Sequence, residues 1–118
     1  MRVRHFGVVM VAVTVAAFVA AHGFASSTAP GFNVPVKITN KGCTLGYTVV
    51  SRQYTRIVFG VFNNGTVAHG FDISGKYKSG LIKPHQERTL VTNLSPGGYR
   101  WACVAAHSTV KRGTFTIR

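Results

Sequence analysis

The chain has 118 residues, 46% of them hydrophobic, and carries 14 Lys and Arg against only 2 Asp and Glu, a formal charge of +12 at pH 7. That apolar content excludes a disordered chain, and the length suits one small domain with one core. With Asp72 and Glu87 as its only carboxylates, it is also excluded from Ser–His–acid catalysis, paired-carboxylate catalysis and carboxylate-rich binding of hard cations.

Residues 1–25 read as an export signal. Arg2 and Arg4 make a positive start, Val8 to Ala21 is an apolar run without charge, and Gly23-Phe24-Ala25 offers the small residues a signal peptidase requires. The run of about 14 residues falls short of the roughly 20 that a spanning helix needs, so no stable membrane span is expected. No cysteine stands at the cleavage point to take a lipid. The mature protein is expected to begin near Ser26 and to work in the periplasm or outside the cell, as a monomer. Twelve Lys and Arg remain there against two acids, a charge that suits an acidic protein or an anionic surface. Export argues against nucleic acid.

Residues 26–35, rich in Ser, Thr and Pro, are expected as a loose lead-in to a domain over 36–118. Phe32 to Thr39 predicts a first strand, with Pro35 tolerated near an edge or a bulge. Asn40-Lys41-Gly42 breaks it, and Tyr47 to Val50 predicts a short second strand. Arg56 to Phe62 is the strongest strand, with Ile57, Phe59 and Val61 on one face and Val58 and Phe62 on the other. Asn63-Asn64-Gly65 predicts a tight turn built on positive φ. His69 to Ile73 returns as a strand with His69, Phe71 and Ile73 facing the same way. Ser74 to Gly80 predicts a loop and Pro84-His85-Gln86 an exposed turn. Arg88 to Leu94, Tyr99 to Cys103 and Gly113 to Ile117 complete the strands, with room for a short helical turn between Ala105 and Val110. Short strands at this spacing predict an all-β, two-sheet Greek-key sandwich.

The chemistry concentrates at one end of that sandwich. Alternation puts Tyr99, Trp101 and Cys103 on one buried face, so the thiol ends a core strand and His107 follows on the loop beyond it. His69 opens another strand. Two imidazoles and one thiolate converging at one pole would make the trigonal set of copper electron-transfer sites. Set against this, Cys43 and Cys103 are the only cysteines of an exported chain, and a disulfide between them would remove the thiolate. Tyr99, Trp101, Phe59, Phe62 and Phe71 read as core, and Lys76, Lys78 and Lys83 as a solvated loop or a docking patch.

The stretches Asn63-Asn-Gly-Thr-Val-Ala-His69-Gly-Phe71, Pro84-His-Gln-Glu-Arg-Thr-Leu90, Pro96-Gly-Gly-Tyr-Arg-Trp-Ala-Cys103 and Arg112-Gly-Thr-Phe-Thr-Ile117 resemble successive strands of a cupredoxin-like domain, the family of plastocyanin and azurin. The resemblance runs from about Val36 to Arg118. It implies the cupredoxin fold, one copper ion held by His69, Cys103 and His107, and one-electron transfer or copper handling. It also implies an acidic redox or metal-delivery protein as partner. The axial Met of electron-transfer members falls on Lys111, a donor of protons with no lone pair to offer, and the Asn that often follows the first His is Gly70. Cys43, in Lys41-Gly-Cys-Thr-Leu45, resembles a branch of exported cupredoxin-like domains with an early extra cysteine near the metal end. Cys43 is thus open to three roles: fourth ligand, disulfide partner of Cys103, or buried free thiol. As a ligand it would complete a set suited to Cu(I) or zinc. The three histidines of the expected mature chain are too few for a multicopper oxidase, so no enzyme is expected. The alternative is a metal-free, disulfide-stapled basic module that binds an anionic partner in the envelope.

Overall fold

The computed structural model describes residues 30–118; the expected export signal lies outside the described residues. Nine strands form two sheets: β1 (Gly31–Ile38), β2 (Cys43–Leu45), β3 (Val49–Val50), β4 (Arg56–Asn63), β5 (Gly70–Ile73), β6 (Tyr77–Lys78), β7 (Glu87–Asn93), β8 (Gly97–Ala105) and β9 (Ser108–Ile117). One sheet runs β2-β1-β4-β7 and the other β3-β9-β8-β5-β6. Most neighbours are antiparallel, but β1 runs parallel to β4 and β3 parallel to β9. The fold is the all-β Greek-key sandwich expected from the strand spacing. Among the described residues no helix is long and apolar enough to cross a membrane.

Alternation builds the core. Along β4, Ile57, Phe59 and Val61 are fully buried while Val58 and Phe62 are half-buried on the outer face. Phe59 meets Phe71 and Phe115 of the opposite sheet at ring-centroid distances of 5.2 and 5.4 Å. These tilted and edge-on contacts close the space between the sheets and add to the burial of three large rings.

Four local features depart from the expectations. β2 and β6 form from segments of three and two residues, too short to show alternation. Pro35 sits in β1, which is interior to its sheet. Its carbonyl accepts from the Gly46 amide just beyond the end of β2, so its missing N–H falls where the ladder to β2 has already ended. Asn63, Asn64 and Gly65 all keep negative φ. Last, Ala105 to Val110 holds no helical turn: β8 and β9 form one hairpin with Ala105 opposite Ser108, and His107 lies in its two-residue turn.

Candidate metal centre

The pole that carries the candidate residues is anchored by Asn63, at the end of β4. Its side chain is fully buried. Its Nδ2 donates to the carbonyls of Val67 (2.9 Å) and Ile82 (2.8 Å), and its Oδ1 accepts from the Gly65 amide (2.8 Å). All of its side-chain polar atoms are therefore answered, as a buried amide requires. The effect is to tie the 64–68 crossover to the segment around Ile82. His69, at the end of that crossover, pairs with Ile82 in both directions, His69 N to Ile82 O at 3.1 Å and Ile82 N to His69 O at 2.7 Å.

The imidazole of His69 is 1% exposed and both of its nitrogens face oxygens. Nδ1 lies 3.2 Å from the Val104 carbonyl, and Nε2 lies 3.2 Å from Oδ1 of Asn40. The orientation of the Asn40 amide is fixed by Thr66, whose backbone N–H donates to Oδ1 (2.9 Å) and whose Oγ1 accepts from Nδ2 (2.7 Å). Both facing atoms are thus acceptors. A neutral imidazole, with one N–H and one lone pair, can donate to only one of the two. Gly65 lets the ring lie there: a Cβ at that position would come within 2.9 Å of Nε2 and Cδ2 of His69 and 2.5 Å of Asn40 Oδ1.

Cys43 and Cys103 are joined by a disulfide, with Cα atoms 6.4 Å apart. The bond stitches β2 of one sheet to β8 of the other, and the two residues are 4% and 0% exposed. Of the three roles open to Cys43 this is the pairing. Beside Cys103 the β8–β9 register shifts between Cys103 and Val104, a bulge of the kind that re-aims side chains at functional sites. Lys111, opposite Cys103, is exposed.

The fold therefore brings Cys43, Cys103 and His69 to one pole, while His107 stands exposed at the tip of the hairpin. Among the described residues, no three His, Cys, Asp or Glu stand together so as to hold a metal ion. With the sulfurs joined the residues do not fit copper, because a cystine sulfur is not the thiolate that a soft ion takes. Asn40, Gly65 and Thr66, which seat His69, carry no sequence signal of that contact. They lie in two segments whose only local signals are a strand break and a turn.

The two sheets in this order, with one parallel pair in each, make a cupredoxin-like β-sandwich. No protein-family model matches the sequence, and no curated protein matches it. Solved structures match in fold. A Cu-containing nitrite reductase from Thermus scotoductus SA-01 is 15% identical with a TM-score of 0.51, over 75% of this chain. This chain spans only 27% of that enzyme's chain. A chain of a heme-copper terminal oxidase dimer is 14% identical with a TM-score of 0.52, covering 95% of this chain and 97% of its own length. Auracyanin A, a blue copper protein from Chloroflexus aurantiacus, is 15% identical with a TM-score of 0.49 over 73% of this chain and 99% of its own. The likeness is one of fold.

Proposed function

We propose that the protein is an exported, non-catalytic copper-binding protein that holds one ion through Cys103, Cys43, His69 and His107 when its two sulfurs are free. One observation carries this reading. Cys43 and Cys103 come from distant segments and join at one pole, where the His69 imidazole lies between the residue after Cys103 and the loop before Cys43. Two released thiolates with a buried imidazole form a soft set, suited first to Cu(I) and next to zinc. Bound there, copper would supply a one-electron couple. A dithiolate set holds Cu(I) best, so copper custody is favoured over electron transfer. The excess of basic residues suits an acidic redox or metal-delivery partner.

The test is a competition between reduced protein and a chromophoric Cu(I) chelator. One ion per chain is expected, and a Cys103→Ser variant with undiminished affinity would overturn the assignment.

A second reading has its own support, the sulfur–sulfur bond itself. In it the protein is a metal-free, disulfide-stapled basic module for an anionic envelope partner. On the outer face of the second sheet, Arg100, Arg112 and Asp72 line a groove with Ala102, a net positive lining for such a partner's acidic groups. Binding there should weaken steeply with added salt; salt-insensitive binding would exclude it.

A further inference from the structure

We infer that the free edge of β7 is a docking site for an extended, acidic segment of a partner protein, which adds there as a fifth strand of the first sheet. The inference rests on the acidic-partner reading alone and stands whether or not the protein holds copper.

The edges of the two sheets are unequal. Three of the four edge strands, β2, β3 and β6, have only two or three residues, and short edges offer little to a passing chain. β7 has seven, pairs with β4 in one unbroken register from Glu87 to Asn93, and contains no proline, lysine or bulge. Most devices by which edges repel a neighbour are thus absent from it. Its one basic side chain, Arg88, is tied down, with Nη1 donating to the Ser79 carbonyl at 2.8 Å.

Backbone direction alternates along an antiparallel strand. The Leu94 amide donates to Thr55 and the Asn63 amide to Gln86, so in this register the even-numbered residues exchange bonds with β4. The odd-numbered residues turn their N–H and C=O groups outward. At Asn93 both outward groups are answered by one hydroxyl: Tyr77 donates to the carbonyl and accepts from the amide, each at 3.2 Å. That pair of bonds confirms the outward direction and marks where the open stretch ends. Glu87, Thr89 and Val91 are exposed, and their three N–H and three C=O groups find no partner among the described residues. The open stretch is about 14 Å long.

Charge selects the occupant. The chain carries 14 Lys and Arg against 2 Asp and Glu. Arg88 lies on the strand itself, Lys76 stands at the closed end with Nζ 5.4 Å from the Tyr77 ring centroid, and Lys78 follows on β6. Against these stand Glu87 on the strand and Asp72 opposite Lys78. A second copy would bring the same positive excess to the edge and be opposed, whereas carboxylates on an incoming strand are drawn in. In strand addition the main chain supplies affinity and alternate side chains supply selectivity.

The test uses the full mature chain and a fluorescein-labelled peptide of alternating Glu and Val, about ten residues long. Affinity should fall with added salt, and by about tenfold or more when Gln replaces every Glu. Amide hydrogen exchange gives the signature. Saturating peptide should slow the amides of Glu87, Thr89 and Val91 and leave those of Arg88, Leu90 and Thr92, already bonded to β4, as they were. Thr89→Pro removes an outward N–H where an edge tolerates proline. It should lower affinity about tenfold or more with little change in urea midpoint. If that variant fails to fold, the exchange pattern of the natural chain still decides. Peptide binding that spares the three odd-numbered amides would overturn the docking site; if Arg100→Gln with Arg112→Gln then abolishes it, the acidic partner survives at the groove of the other sheet. Equal affinity for the Gln peptide would overturn the acidic occupant. So would slowing of the same three amides by raised protein concentration alone, which would make a second copy the occupant. An acidic peptide that binds nowhere would remove the acidic-partner reading as well.

Discussion

Asn40 and His69, 29 residues apart, face each other at 3.2 Å through Oδ1 and Nε2. The Thr66 amide already donates to that oxygen, so Asn40 offers the ring an acceptor and cannot turn to offer its N–H₂. The contact links the turn before β2 to the crossover before β5. It holds the buried ring on one side while the Val104 carbonyl holds the other. The imidazole is thus part of the structure at the pole as well as a candidate donor, and its two roles can be separated by substitution.

His69→Ala is expected to cost about 2–4 kcal/mol, through lost packing and through oxygens left without a partner. His107→Ala should change stability by less than about 0.5 kcal/mol, because that side chain is exposed on the hairpin turn. Copper affinity of the reduced protein should fall in both. Urea denaturation in parallel with chelator competition checks the pair. Equal stability losses would contradict the burial of His69, and unchanged affinity in His107→Ala would remove it from the ligand set.

Gly65→Ala should destabilise the protein by about 1–3 kcal/mol, since the new methyl meets the His69 ring and the Asn40 amide oxygen at overpacked distances. The second substitution Asn40→Ala, which removes one of those neighbours, should recover part of the loss. A double-mutant cycle read by urea midpoints measures the coupling. Strict additivity would mean that Gly65 is needed for something other than this approach.

Much of this was legible in the chain. Strict alternation in Arg56 to Phe62 and in Tyr99 to Cys103 marks the buried faces, because one face of each strand meets the opposite sheet. His69, Phe71 and Ile73 turn inward together for the same reason. The pairing of Cys43 with Cys103 was open, since spacing along the chain does not fix which sulfurs meet across a core. The β8–β9 hairpin was hidden because Ala106-His107 carries none of the Asn-Gly chemistry that announces a tight turn. Gly65 was noticed for the wrong cause: the residue is required by a neighbour's approach, which is a tertiary fact, and not by its own φ.

The disulfide closes a loop with a sequence separation of 60 residues. By chain entropy such a link contributes about 4 kcal/mol, within the usual range of roughly 2–5 kcal/mol for a native bridge. Reduction should therefore lower the urea midpoint substantially while leaving a folded protein. Near-coincident unfolding curves with and without dithiol, with complete reduction confirmed by thiol count, would contradict this.

Asn63→Asp should be almost as damaging as Asn63→Ala, despite its near-identical shape. The carboxylate keeps an acceptor for the Gly65 amide but loses both donations, to Val67 and Ile82, and turns its charge toward their carbonyls. Each variant is expected to cost about 2–4 kcal/mol, since a buried group left without its partner loses roughly 1–3 kcal/mol apiece. Thermal unfolding above and below the carboxyl's ordinary titration range adds a second reading. The Asp variant should recover stability at acid pH, where its protonated oxygen can donate again; an unchanged difference from the natural chain would show that shape alone matters.

Trp101 and Gly113 stand opposite each other on β8 and β9, and the indole lies directly over the glycine, so that any Cβ there would run into the ring. The indole N–H is buried and finds no acceptor, so the ring is held by packing alone, with Phe71 at a centroid distance of 6.1 Å. Gly113→Ala must push the ring aside, at a cost of about 1–3 kcal/mol. Because Trp101 is the chain's one tryptophan, its fluorescence reports the displacement directly. The folded variant should emit at longer wavelength than the natural protein and quench more readily with iodide, as the ring moves toward water. An unshifted spectrum together with a lowered urea midpoint would mean that the strand yields instead of the ring, with β9 drawn away from β8 at Gly113.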